Sequence, residues 1–479
     1  MERNKLLQLS KYLWEFPKDS RFDMRVPARI YASEKMLDDI FKDKSLDQLV
    51  NLTTLSWINR YSIVMPDAHE WYGSPIWWVF ATRVPDWIIS PGAVWYDINC
   101  WVRLLLSTCD ADEISHKIKG LAQDMQFTVP SWVWKWHKLK ISINELNDIL
   151  RGWVKYLAKK WFATSEDVEN CESNWSLPDA NPDKISEHAK LRWLDQEWTL
   201  GSGNHFLEVQ KVEKIFDDRI ANIFWIRENQ VVIMVHTWSR WLGHQVATDY
   251  VRIMLQSQSK YWIELVDREL ACLPFSSPEW QDYFAAMSGA ANFAWANRQM
   301  ITYLIRQSWE RVIGKWELRL LYDVAHNICK IETHQDEKGH NIELLVHRKW
   351  ATRSFPPHHV NIPARYMTSW QPVLIPWSMW TSSFILSWWE NSSDSFYSAC
   401  HWAWRSKSRH QAIREYSWRQ IIDELRARWI VVECSSMRWI AEEAPWAYKD
   451  IEDVIEIVDW AWLAKKVAQL KPIAVIKGE

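Results

Sequence analysis

Glycine is what this chain lacks. Its 479 residues include 11 glycines, where about 7% is usual, or roughly 33 in a chain this long. So few glycines leave little backbone free to take left-handed turns or to approach a ligand closely. Cysteine is thin as well: seven residues, an odd number with no C-x-x-C. That argues against a disulfide framework or a zinc ribbon and fits a reducing, cytoplasmic setting. No stretch approaches 18 uncharged apolar residues, so no membrane span is expected. The start, MERNKLLQLSKYLWEF, is charged within its first turns and lacks the apolar segment of a signal peptide. Neither sign of charge dominates. With 57 basic and 60 acidic residues the net charge is −3, so a nucleic-acid partner would need a local basic groove.

What is present in excess is tryptophan, 38 residues of it. Glycine and tryptophan together make an ordinary glycine count plus a handful of tryptophans. The placement is as odd as the number. Tryptophan stands where a chain needs a tight turn, as in HTWSRWLG (236–243) and HWAWR (401–405). Some genetic codes assign UGA to glycine, and translation with a table that reads UGA as tryptophan would write Trp at each such codon. Many of these tryptophans are therefore expected to be glycines.

The remaining composition, 48% hydrophobic and 24% charged, supports a large buried core. Residues 1–60 mix short helical and polar stretches. From Tyr61 short β-like runs follow (YSIVM, WIISP, WVRLLL), and residues 110–195 read as helical and charged. QVVIMVHT (230–237) is a strand candidate that feeds a helix at 244–257. Apolar residues at Phe284, Met287, Ala291, Ala294, Ile301 and Leu304 place one long helix over 281–313. Strands return at 342–347 and 372–376, and α/β texture runs from Ile413 to Lys477. The mixture is neither strand–helix alternation nor all-β, so the expected class is α+β in one large domain, 1–479.

Ligand-type residues concentrate in a few segments. Asp97 and Cys100 lie in PGAVWYDINC, and Asn204, His205 and Glu208 in GSGNHFLE. His236 ends a strand candidate, His326 lies in YDVAHN and His401 in CHWAWR. A thiolate, a carboxylate and several imidazoles could hold one or two divalent metals. Each has an ordinary alternative: a hydrogen-bonded structural histidine, a buried small cysteine, an aspartate closing a turn. No P-loop or dinucleotide fingerprint appears even with every Trp read as Gly. RKWATR (348–353) and WRSKSR (404–409) could hold phosphates if their tryptophans are glycines; otherwise they are solvated charged turns.

Taken together, the segments resemble the RtcB family of RNA-splicing ligases from about residue 61 to the C-terminus, residues 1–60 being the variable part. The resemblance rests on PDAHEWYGSPIWWV (66–79), PGAVWYDINCWVRL (91–104), WTLGSGNHFLEVQ (198–210), HTWSRWLGHQ (236–245), YDVAHN (322–327), HRKWATR (347–353), PVLIPWSMWT (372–381), CHWAWR (400–405) and VIKG (475–478). The departure is systematic: Trp stands at family glycine positions. The resemblance implies an RtcB-like fold with a central metal and nucleotide cleft. It implies GTP- and Mn²⁺-dependent joining of RNA 2′,3′-cyclic-phosphate or 3′-phosphate ends to 5′-hydroxyl ends, in tRNA splicing or RNA repair. His401 would be the nucleophile that becomes guanylylated. Asp97, Cys100, His205, His236 and His326 would hold two Mn²⁺ ions, with the Cys100 thiolate bridging them. Asn204, Glu208, Asn327, Ser378, Tyr448 and Lys477 would contact the guanylate, and Arg192, Arg240 and Arg405 the RNA phosphates. The implied partners are tRNA halves and an archease-type activator, the chain being a cytoplasmic monomer with no membrane attachment. If the motif tryptophans are real, the alternative is a noncatalytic relative that binds RNA ends by aromatic stacking.

Overall fold

The computed structural model describes residues 1–478 except 67, 71–73, 84–87, 131–140, 153–156, 158, 159, 161, 195, 197, 202, 315, 316, 378, 391, 402–408 and 435. Two large sheets organise these residues. The first has seven strands in the order Leu7–Gln8, Leu13–Phe16, Ala28–Tyr31, Ile58–Val64, Trp78–Arg83, Asn341–Lys349 and Asn327–Gln335. The second runs Arg319–Ala325, Trp101–Asp110, Gln230–Thr237, Phe206–Ile215, Ala464–Lys477, Ser383–Trp388 and Pro372–Ile375, and Val431–Cys434 pairs in parallel with Ala464–Lys477. The α+β expectation holds. Strand Gln230–Thr237 matches its expected bounds, and the helix after it spans Arg240–Ser257.

Residues 1–60 differ from expectation. Beside short helices they contribute three strands and the start of a fourth to the seven-stranded sheet. Runs of two to four residues are too short to show the period-two alternation that marks a strand. Their inner side chains, among them Phe16, Ala28 and Ile30, join the same apolar core as Val79, Leu344 and Val346.

The long helix spans Pro278–Ile313. It begins a turn before its apolar periodicity because Ser277 caps it, accepting from the Trp280 amide, with Pro278 in the first helical position. Gly314, at φ 84°, ends it in the left-handed form that glycine adopts most readily. The helix packs against Arg240–Ser257, Ile118–Thr128 and Ile143–Leu150. It buries more than an apolar stripe: Asn292, Asn297, Arg298, Gln299, Thr302 and Arg306 are all inside.

Backbone geometry bears directly on the tryptophans. Among the described residues ten of them, Trp57, Trp77, Trp95, Trp175, Trp198, Trp225, Trp262, Trp350, Trp429 and Trp462, have positive φ. Trp95, at φ 89° and ψ 159°, occupies a region that is essentially glycine's alone. Holding a residue with a Cβ in the left-handed form costs about 1–2 kcal/mol. Ten such residues cost about 10–20 kcal/mol, against a domain stability of about 5–15 kcal/mol. Trp295, in the middle of the long helix, is not among them.

Candidate functional site

One end of the eight-stranded sheet collects the chemistry. Strand register pairs Ala325 with Trp101, Trp101 with Thr237, His236 with Phe206, and Phe206 with Lys477. Cys100 precedes Trp101, His205 precedes Phe206 and His326 follows Ala325. Residues from position 100 to position 477 therefore arrive side by side. His326 is also the single residue between two strands, one in each large sheet, since Asn327 opens the strand that pairs with Asn341–Lys349. His401 follows the short strand Ser398–Cys400, whose pairing of Cys400 with Ala351 brings His401 beside Trp350.

The donor atoms converge. Cys100 Sγ lies 3.1 Å from His236 Nε2 and 3.6 Å from His205 Nε2. Asp97 Oδ2 is 3.6 Å from the same His205 nitrogen. The ligand atoms of Cys100, His205 and His236 lie within 4.8 Å of one another, and so do those of His236, His326 and His401. The rings of His326 and His401 stack with centroids 3.5 Å apart. His236 Nδ1 sits 3.2 Å from the Asn204 carbonyl. A carbonyl only accepts, so that nitrogen carries the proton and the Nε2 lone pair faces the thiol. The Asn327 side-chain oxygen accepts from the Trp350 amide at 2.8 Å, and the His401 amide donates to the Trp350 carbonyl at 3.2 Å.

Burial sets the protonation states. It pushes Asp97 up to about 7, against the pull of Cys100, Arg240, His244 and Arg298. Burial and then Asp97 drive the Cys100 thiol well above its ordinary value. His236, His326 and His401 are pushed well below theirs, first by burial and then by a neighbouring imidazole: His205 for His236, His401 for His326 and His236 for His401. Among the described residues, Asp97 Oδ1 and both ring nitrogens of His326 have no hydrogen-bond partner. Orphaned buried acceptors beside a thiol and neutral imidazoles are the donor set a divalent cation fits. Thiolate and imidazole suit zinc or iron, and Asp97 adds the oxygen donor that manganese favours.

A second cluster adjoins the first along the same strands. Glu208 accepts from Gln210 Nε2 at 2.7 Å and from the Met379 amide at 3.2 Å. Burial pushes its carboxyl up to about 8, opposed by Gln210 and Lys477. Lys477 is buried, its ammonium 5.9 Å from the Phe206 ring centre. The Tyr448 hydroxyl donates to Glu443, and its ring meets Trp377 at 5.6 Å. Because the folded value of Glu208 is raised, its contribution to stability is fully present below the ordinary carboxylate range and is lost as pH rises through about 8. The melting temperature should fall over that window, and Glu208→Gln should flatten the fall in a pH series of thermal melts.

Arg240 is buried at the start of its helix, at φ 57°, and its field favours the charged form of Asp97. Gly201, at φ 104°, leaves the space that the Arg240 guanidinium occupies. Arg192 stands further off, donating to Gln245 at 2.7 Å and lying over the Trp241 ring at 4.4 Å. Ser378, Arg405, Trp402 and Trp404 lie outside the described residues. Three residues went unremarked in the sequence: Asn99, Arg298 and Asp323. The available signal was the polar run Asn297-Arg298-Gln299 inside an apolar helical stripe.

Comparison with known proteins identifies the family. A family model described as "tRNA-splicing ligase RtcB" matches residues 48–478. The chain is 44% identical to the tRNA-splicing ligase RtcB of Thermococcus kodakarensis over 479 residues, covering 99% of each chain. It is 44% identical to the protein of that name from Aeropyrum pernix (98% of this chain, 99% of the relative) and likewise 44% to that from Pyrobaculum aerophilum (98% and 99%).

Proposed function

The chain belongs to the RtcB family of tRNA-splicing ligases, and on that premise we propose that it joins RNA 3′-phosphate or 2′,3′-cyclic-phosphate ends to 5′-hydroxyl ends at the expense of GTP. The observation that carries this reading is the convergence of Cys100, His205, His236 and His326 beside His401. We further propose that the protein made in its own cell carries glycine at the motif tryptophans and at the ten with positive φ.

Burial keeps His401 neutral, so a ring nitrogen has a lone pair with which to attack the α-phosphorus of GTP. The bond from that phosphorus to the bridging oxygen breaks, and pyrophosphate leaves. An oxygen of the RNA 3′-phosphate then takes the GMP from His401, returning the electron pair to the ring. The 5′-hydroxyl attacks the activated phosphate, gives up its proton, and GMP departs. A cyclic phosphate enters as the 3′-phosphate after water opens the ring. Mn²⁺ held by Asp97, Cys100, His205, His236 and His326 would offset phosphate charge and align the reacting groups. Asn204, Asn327, Ser378, Tyr448 and Lys477 contact the guanylate, and Arg192, Arg240 and Arg405 the RNA phosphates. Residues 1–479 act as one ligase unit, with 1–60 its variable part, working as a cytoplasmic monomer on tRNA halves with an archease-type activator.

Glu208 selects the base. Burial favours the protonated form of its carboxyl in the free protein; bound guanine would offer N1–H and the exocyclic amine, a donor pair that adenine lacks and that draws the group to the accepting carboxylate. Hydrogen bonds to a charged group are worth about 1.5–3 kcal/mol, so Glu208→Gln should reduce the preference for GTP over ATP by about 10- to 100-fold in competition binding. The reading as a whole is tested with a 3′-phosphate RNA, a 5′-hydroxyl RNA, GTP and Mn²⁺, using the chain with glycine at the proposed positions. Joined RNA and a GMP adduct mapped to His401 are expected. Absence of both products would overturn the proposal.

A further inference from the structure

The donors of the site do not hold themselves in place, and the group that holds them lies deeper in the core. Arg298 is fully buried on the Pro278–Ile313 helix. Its guanidinium reaches in two directions: Nε lies 3.3 Å from Asp323 Oδ2, and Nη1 lies 3.3 Å from the Asn99 carbonyl. Asn99 is the middle of the turn between Asp97 and Cys100, at φ 55°. Its side chain donates to the Ala291 carbonyl of the same helix at 2.8 Å, and its amide donates to the Asn327 carbonyl at 2.7 Å. Asp323 stands three residues before His326 on the adjoining strand and is gripped again by Arg103 Nε at 2.6 Å. The His326 amide in turn donates to the Cys100 carbonyl at 3.1 Å.

Two segments that carry donors, 97–100 and 323–326, are thus bridged to each other and to one helix by the Arg298 guanidinium, with Asn99 and Arg103 adding a tie to that helix on either side. We propose that Arg298 is a positioning residue that sets the cation affinity of the site by fixing the Asp97–Cys100 turn against the strand that leads into His326. The inference rests on the metal reading above. Arginine suits the task because its planar fork holds two acceptors at a fixed angle, which an ammonium cannot do. Trp101 lies over one face of the guanidinium at 4.4 Å. Both anchoring bonds run from guanidinium N–H groups to Asp323 and Asn99 and neither involves the Trp101 ring, so the clamp should persist with glycine at 101.

The test compares conservative variants in the glycine-bearing, full-length protein. Binding is followed by titrating Co²⁺ and recording thiolate-to-cobalt absorption. Arg298→Lys keeps the charge and loses the fork, and should weaken Co²⁺ binding by about 10- to 100-fold, the usual effect of removing a group that orients metal ligands. Asp323→Asn keeps the volume and should shift affinity in the same direction by less. The control is Arg306→Lys, eight residues along the same helix. Arg306 is also buried and binds Asp167 through two nitrogens at 2.6 and 2.7 Å, so its loss should lower stability and leave Co²⁺ affinity at the parent value. Parent-like affinity in Arg298→Lys and Asp323→Asn overturns the inference while sparing the metal reading. A parent protein that fails to bind Co²⁺ overturns both. If both variants unfold while Arg306→Lys folds, Arg298 holds the core rather than the site, and the inference is again overturned.

Discussion

Placing glycine at the ten positive-φ tryptophans is expected to turn a chain that does not hold its fold into one that unfolds cooperatively. At Trp57, Trp77, Trp95, Trp175, Trp198, Trp225, Trp262, Trp350, Trp429 and Trp462 the fold demands a backbone form that a side chain opposes. The backbone term alone is about 10–20 kcal/mol, and crowding adds about 1–3 kcal/mol wherever a filled core must admit extra bulk. Trp77 and Trp175 are fully buried, so they carry both costs. Denaturant unfolding of the two versions is the direct comparison: a single steep transition for the glycine chain, soluble aggregate or none for the tryptophan chain. The cause is checked in the gene and by mass spectrometry of the protein from its own cells. UGA codons are expected at motif positions such as Trp95, Trp238, Trp377 and Trp402, with UGG at Trp295. UGG codons and intact tryptophan at the motif positions would falsify the reassignment.

His401→Ala should abolish the GMP adduct and lower ligation by on the order of 10⁴-fold or more, since no other group replaces a covalent nucleophile. The ring of His401 stacks on His326 and its amide is held by Trp350, so alanine leaves the backbone bonds intact. A modest loss of stability is expected, with the fold retained. The informative readings are label transfer from GTP and joining of an RNA supplied with its 3′ end already guanylylated. The variant should fail the first and retain the second, because His401 acts only before the RNA is activated. A variant that still takes up label, or still joins unactivated ends at the parent rate, removes His401 from the proposed role.

Some of the architecture could be read from local pattern and some could not. The strand Gln230–Thr237 and the helix after it carry their own periodicity and their own turn, so both were legible. The strands in residues 1–60 were not, because each is shorter than the pattern that would reveal it and is stabilised by the sheet it joins. Arg298 escaped notice for a related reason. A cation within an apolar helix reads as a solvated residue or an exception until Asp323 and Asn99, far away in sequence, are seen to receive it.

The candidate site divides along the same line. The sequence by itself determined the donor types, the family resemblance and the anomaly of the tryptophans, because these live in short motifs and in composition. The resemblance implied that Asp97, Cys100, His205, His236, His326 and His401 share a site, and the tertiary structure alone brings their donor atoms within a few ångströms of one another. The reason is strand register: a ladder aligns residues hundreds of positions apart, and nothing local to any one strand encodes its partner's offset. The same holds for the glycines. Composition shows the glycine deficit, and positive φ at ten described tryptophans shows where the backbone takes the form glycine adopts most readily.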